Sequence, residues 1–80
     1  MRQVSGSKRD RIRAAVETLL AEHSAPMHYE RLAEIVLPAL GLEDRAKPKD
    51  LNTALHDDPM GRFRRVGKGT WALGKWDSSH

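Results

Sequence analysis

Apolar positions recur with a helical period over the first two thirds of the chain and alternate near its end. Ile12, Val16, Leu19, Leu20 and His23 fall at i, i+4, i+7, i+8 and i+11, one stripe of a helix. Asp10 and Glu17 lie on the opposite side, with Arg13 near its edge. Ser7 and Asp10 make a Ser-x-x-Asp capping arrangement. The spacing therefore predicts a first helix from Lys8 to about His23. Ser24-Ala25-Pro26 ends it, because the residue before a proline is pushed out of the α region.

Met27-His28-Tyr29 is too short to stand as a strand, but it can add one or two rungs beside a later hairpin. Glu30-Arg31 opens a second helical pattern with Leu32, Ala33, Ile35, Val36 and Ala39 on its apolar side. Pro38 clashes with the carbonyl four residues earlier, which predicts a stop or kink near Leu37 and Gly41 as a late C-cap. Gly41 to Ala46 reads as a polar connection. Pro48 suits the first turn of a third helix, where no N–H is needed. Leu51, Ala54, Leu55 and Asp58 fall on one side of it, and Lys49, Asn52, Thr53 and His56 on the other. It ends before Pro59.

Between Arg62 and Leu73 the period shortens. Two brief apolar stretches flank Gly67-Lys68-Gly69, the pattern of a hairpin turn. Phe63, Val66, Trp71 and Leu73 are predicted to close the core. Strict alternation puts Phe63 and Val66 on opposite sides, so a bulge or a strand start after Phe63 is required. Trp76 lies just past the last strand, either capping the core or offering a contact; Tyr29 packs at a helix start.

The order helix, short strand, helix, helix, strand, strand is that of a winged helix-turn-helix. The expected class is α+β: three helices with a small C-terminal β-hairpin wing. At 80 residues this is one domain, residues 7–76, between an N-terminal arm at 1–6, expected to be disordered, and a frayed end at 77–80. With no cysteine, neither a disulfide nor a thiolate metal site supplements the small core. No apolar run approaches the roughly 20 residues of a membrane span. No apolar h-region marks a signal peptide, so a cytoplasmic protein is expected.

Charge is unevenly spread within a net +3. Arg2, Lys8, Arg9, Arg11 and Arg13 against Asp10 give residues 1–13 a net +4. Residues 14–46 carry −4. Arg62, Arg64, Arg65, Lys68 and Lys75 give residues 62–75 a net +5 without an acid. Two basic ends flank an acidic middle, and a fold that brings the ends to one side suits a polyanion. Many small basic domains bind nothing, so the distribution matters more than the total.

Ala25-Pro26-Met27-His28-Tyr29-Glu30-Arg31-Leu32-Ala33, Leu51-Asn52-Thr53-Ala54-Leu55-His56-Asp57-Asp58 and Phe63-Arg64-Arg65-Val66-Gly67-Lys68-Gly69-Thr70-Trp71-Ala72-Leu73 together resemble the HARE-HTH family of winged helices. The closing segment fits that family's F-x-x-V-G-x-G-x-W/F-x-L pattern, and the resemblance spans about residues 8–76. The connection from Gly41 to Lys47 is compact, so no contacts carry over from longer versions. The resemblance implies the fold. It leaves function divided between DNA binding, with a role in transcription regulation, and docking on a protein such as RNA polymerase, since the N-terminal domain of the bacterial polymerase delta subunit is a relative. Other relatives are attached to restriction endonucleases and chromatin proteins, so a linked effector domain is a further expected partner.

The candidate contacts to double-stranded DNA fall in three groups. On the third helix, Asn52 can bond adenine, Thr53 can touch a thymine methyl, and Lys49 and His56 can reach phosphate or guanine. Asp50 and Asp57 flank this face and oppose phosphate if they point at it. On the wing, Arg62, Arg64, Arg65 and the tip residue Lys68 suit phosphate, although charged hairpins also serve only to block edge pairing. Lys8 and Arg11 belong to a basic cluster at the first helix start, where cations oppose the macrodipole. A solvated arm is the alternative there. His23, His28, His56 and His80 lack i, i+4 spacing, so no metal is expected. No nucleophile arrangement or phosphate loop is present, which points away from an enzyme and from any cofactor.

Overall fold

The computed structural model describes residues 8–78. Helices α1 (Lys8–His23), α2 (Tyr29–Ala39) and α3 (Pro48–His56) form the predicted three-helix body. Strands β1 (Met27–His28), β2 (Phe63–Gly67) and β3 (Thr70–Leu73) form one antiparallel sheet in the order β1-β3-β2. The last described segment is a 3-10 helix, Gly74–Ser78, which the sequence pattern does not announce. Of the stretch expected to fray, Asp77 and Ser78 end this 3-10 helix. The arm at 1–6, the capping residue Ser7 and residues 79–80 lie outside the described residues.

The core draws on all three helices and on strands β2 and β3. Ile12, Val16 and Leu20 from α1 meet Leu32, Ala33, Val36 and Leu37 from α2, and Leu51, Ala54 and Leu55 from α3. Phe63, Trp71 and Leu73 close the open end from the sheet. Each fully buried leucine contributes about 1.5–3 kcal/mol relative to exposure, and Leu20, Leu32, Leu51, Leu55 and Leu73 are all at 2% exposure or less. Met27 pairs with Trp71 and His28 with Thr70, the two rungs expected of β1.

Helix α2 starts on His28, whose Nδ1 accepts the Glu30 N–H at 3.2 Å. It passes through Pro38 to Ala39 rather than stopping near Leu37. In a last turn the missing proline N–H forfeits a single bond, and the chain closes behind it. Gly41 N–H donates to the Pro38 carbonyl at 3.0 Å and Leu42 N–H to the Leu37 carbonyl at 2.8 Å, a Schellman closure with Gly41 at φ +71°. That closure throws Leu42 inward. Leu42 and Ala46 are both buried, so the segment read as a polar connection is apolar at two of its positions.

Three further expectations are corrected. Asp58, expected on α3, belongs to the turn that follows the end of the helix at His56, although its side chain is buried at 2% exposure. His23, placed on the α1 stripe, is exposed because the helix ends there and Pro26 turns the chain away. Val66 is not core but 52% exposed. A bulge is present, but between Arg65 and Gly67 rather than between Phe63 and Val66, where burying both would require it. Phe63, Arg64 and Arg65 pair in unbroken register, so Val66 keeps the side opposite Phe63 and is the extra residue of the bulge.

Candidate nucleic-acid interface

Trp71 joins the wing to the third helix. It stands on the core face of β3, 4% exposed, and its indole N–H donates to Asn52 Oδ1 at 2.9 Å. The His56 ring meets the same indole edge-on, with centroids 6.4 Å apart. Residues directly opposite in an antiparallel pair share a face. Arg65 is opposite Trp71 and therefore faces the same side of the sheet, exposed. Arg64 is opposite Ala72, on the other face of the sheet.

The turn that presents Lys68 is built for close approach. Gly69 holds φ +69°, and its carbonyl accepts the Tyr29 N–H at 2.8 Å. A Cβ at this position would lie 2.7 Å from His28 Nε2 and 3.0 Å from the Tyr29 ring. Glycine is thus required twice, by conformation and by space. Lys68 stands exposed at the tip beside it.

On α3, Lys49, Thr53 and His56 are exposed, whereas Asn52 is half-buried. Thr53 Oγ1 donates to the Lys49 carbonyl at 3.0 Å, so its hydroxyl proton is engaged within the helix. The Asn52 Oδ1 already accepts the indole N–H, so a bidentate bond to adenine, which uses Oδ1 and Nδ2 together, would use that oxygen's second lone pair. The two flanking acids are engaged locally. Asp50 Oδ2 accepts the Lys47 N–H at 2.9 Å and so closes the start of α3. Asp57 lies 3.8 Å from the Arg9 guanidinium and 3.8 Å from His56 Nδ1.

Arg62 leaves the wing surface. Its guanidinium makes a 3.2 Å pair with Asp58 and a 3.1 Å pair with Glu17 of α1, and it lies 5.6 Å from the centroid of the Phe63 ring. The Asp58 side chain is 2% exposed and also accepts the Arg62 backbone N–H at 2.8 Å. Burial opposes the Asp58 charge. The hydrogen bonds from Arg62 and from the Met60 backbone outweigh it and hold the carboxyl below its ordinary value. The same bond to Asp58, against burial, raises the Arg62 guanidinium further above its already high value. Arg62 is therefore a strut between α1, the α3–β2 turn and the wing, not an outward cation.

Arg13 has the same fate within the N-terminal basic cluster. It is 6% exposed; its Nε donates to the Ala54 carbonyl at 2.8 Å and its Nη1 pairs with Asp10 at 3.0 Å. Lys8 is exposed, with Nζ 3.4 Å from the Arg45 carbonyl. Arg11 is exposed on the side of α1 that carries Ala15, Thr18 and Glu22, away from the side on which Arg13 meets α3. The Asp58–Arg62 pair had a sequence signal in its i, i+4 spacing. Nothing local marks the distant partners, Glu17 for Arg62 and Ala54 for Arg13. Among the described residues no group of His, Asp and Glu is placed to hold a metal, and no helix is long and apolar enough to cross a membrane.

Residues 12–76 match the model of the HARE-HTH family, whose description also names ASXL and the restriction endonuclease HTH domain. The chain belongs to the HARE-HTH family. No curated protein and no solved structure shows significant similarity to it. HARE-HTH domains are of winged-helix type, and the three helices and three-stranded sheet described above are this chain's version of that fold. In HARE-HTH terms, α3 is the second helix of the helix-turn-helix and β2–β3 is the wing.

Proposed function

We propose that this HARE-HTH domain binds double-stranded DNA, with the exposed face of α3 in the major groove and the wing against the phosphate backbone. The observation that carries the reading is the convergence on Trp71. It ties Asn52 and His56 of α3 to the strand pair that holds Arg65, so helix face and wing cation lie on one side. Lys49, Thr53 and His56 are the groups offered to base edges and phosphate. Arg65 and Lys68 supply sequence-independent attraction, with Arg64 on the outer wing face. Membership of a helix-turn-helix family adds support. A module of this kind suits transcription regulation.

The test is titration of a labelled duplex at several salt concentrations. If the wing and α3 neutralise about four phosphates, log K falls with log salt at a slope near −3.6. Absence of measurable binding at about 50 mM salt would sink the reading, because the electrostatic attraction is strongest there.

A further inference from the structure

We infer that this domain self-associates through α1, as an antiparallel two-fold pair centred between Ala15 and Thr18. The surface concerned is an apolar groove between α1 and α2, lined by Ala15, Thr18, Leu19, Ile35, Val36 and Ala39, with Glu22 at one end. Ile35 is 37% exposed in it. Thr18 adds no polar demand, since its Oγ1 already donates to the Ala14 carbonyl at 3.1 Å.

The occupant is fixed by charge. Arg11, Ala15, Thr18 and Glu22 fall at i, i+4, i+7 and i+11, one stripe of α1. The stripe is palindromic in character, with a cation at one end, an acid at the other and two small residues between. Laid antiparallel on a copy of itself, Arg11 meets the partner's Glu22 at each end while Ala15 meets the partner's Thr18. Such a self-complementary patch is what a closed two-fold dimer requires. Among the described residues, neither Arg11 nor Glu22 makes an ion pair within its own chain.

The helix dipole points the same way. Arg11 lies near the N-terminus of α1 and Glu22 near its C-terminus, each the unfavourable end for its charge. In an antiparallel pair each of them lies beside the opposite end of the partner's helix, and the penalty is offset. Small side chains at the centre allow the two helices to approach closely, with Leu19 and Ile35 flanking the seam. Helix α3 contacts α1 from the Arg13 side, so pairing through the Arg11 stripe leaves the exposed face of α3 uncovered.

Sedimentation equilibrium of the full chain over micromolar to millimolar concentration tests this without DNA, and so separately from the binding reading. The wild type is expected to show a reversible monomer–dimer equilibrium. Arg11→Glu alone and Glu22→Arg alone each place like charges at both ends and are expected to weaken dimerisation about tenfold or more. An equimolar mixture of the two single variants regains opposite charges at both ends and is expected to form a heterodimer at least as tight as the wild type. A wild type that stays monomeric to millimolar concentration overturns the inference. So does a mixture that associates no better than its separate components, which would leave the groove to a different apolar partner. Circular dichroism of each variant confirms that the helices persist.

Discussion

Asn52 on α3 accepts a 2.9 Å hydrogen bond from the Trp71 indole on β3. One contact thus couples the helix predicted to read bases to the strand that carries the wing. Asn52→Ala leaves a nearly buried indole N–H without its partner, a loss of about 1–2 kcal/mol. For a domain of this size that lowers Tm by roughly 4–8 °C per kcal/mol. Combining Asn52→Ala with Trp71→Phe, which removes the donor, should cost less than the sum of the two. A strictly additive cycle in thermal melts would show that the bond contributes nothing.

Arg65 and Lys68 are exposed, and among the described residues neither side chain makes a hydrogen bond or an ion pair. Arg65→Ala and Lys68→Ala should therefore leave Tm within about 0.5 kcal/mol equivalent of the parent. Each should weaken duplex binding evenly across sequences and reduce the salt slope by about 1. Arg62→Ala should behave in the opposite way, with a large fall in Tm. A salt slope unchanged by both wing substitutions would remove the wing from the interface.

The sequence pattern carried the element order because that order is written in local signals. Pro26, Gly41, Pro48 and Gly69 punctuate the chain where the helices and the hairpin begin or end. The core of the helices was legible for the same reason: Ile12, Val16, Leu20, Leu51 and Leu55 repeat at helical spacing. The wing was harder. Strict alternation from Phe63 puts Val66 outside, where it lies; only its apolar character argued for the core, and the bulge falls at Val66 rather than before it. The candidate site suffered most, because a cation's role depends on partners distant in sequence. Arg62 finds Glu17 and Arg13 finds Ala54, pairings that periodicity does not encode. Lys49, Thr53, Arg65 and Lys68 keep the exposed positions expected of them.

Gly69 tolerates no side chain. Its φ of +69° disfavours any L-residue by about 1–2 kcal/mol. An alanine Cβ would also meet the His28 and Tyr29 rings at 2.7 and 3.0 Å. Gly69→Ala should therefore destabilise by more than the conformational term alone and disturb the β1–β3 rungs first. Amide exchange at Tyr29, whose N–H is bonded to the Gly69 carbonyl, reads this directly. Protection at Tyr29 equal to that of the parent would mean that the turn accommodates the methyl.

Asp58 is the acid on which the Arg62 strut depends. Asp58→Ala leaves the Arg62 guanidinium with Glu17 as its remaining acid and removes the acceptor of its backbone N–H, at a cost of about 3 kcal/mol. The pair also makes a pH signature. The Asp58 carboxyl titrates below its ordinary 3.8 in the folded chain, against burial, because Arg62 and Met60 donate to its charged form. Above about pH 5 the carboxyl is ionised in both states and its full contribution is present. As pH falls through 3.8 the unfolded chain takes up the proton first, and that contribution declines until the folded pKa is passed. Denaturant titrations of wild type and Asp58→Asn should show a stability gap that is constant from about pH 5 to 7 and narrows below about pH 4. A gap that stays the same, or widens with acid, would mean that the carboxyl is not ionised in the fold.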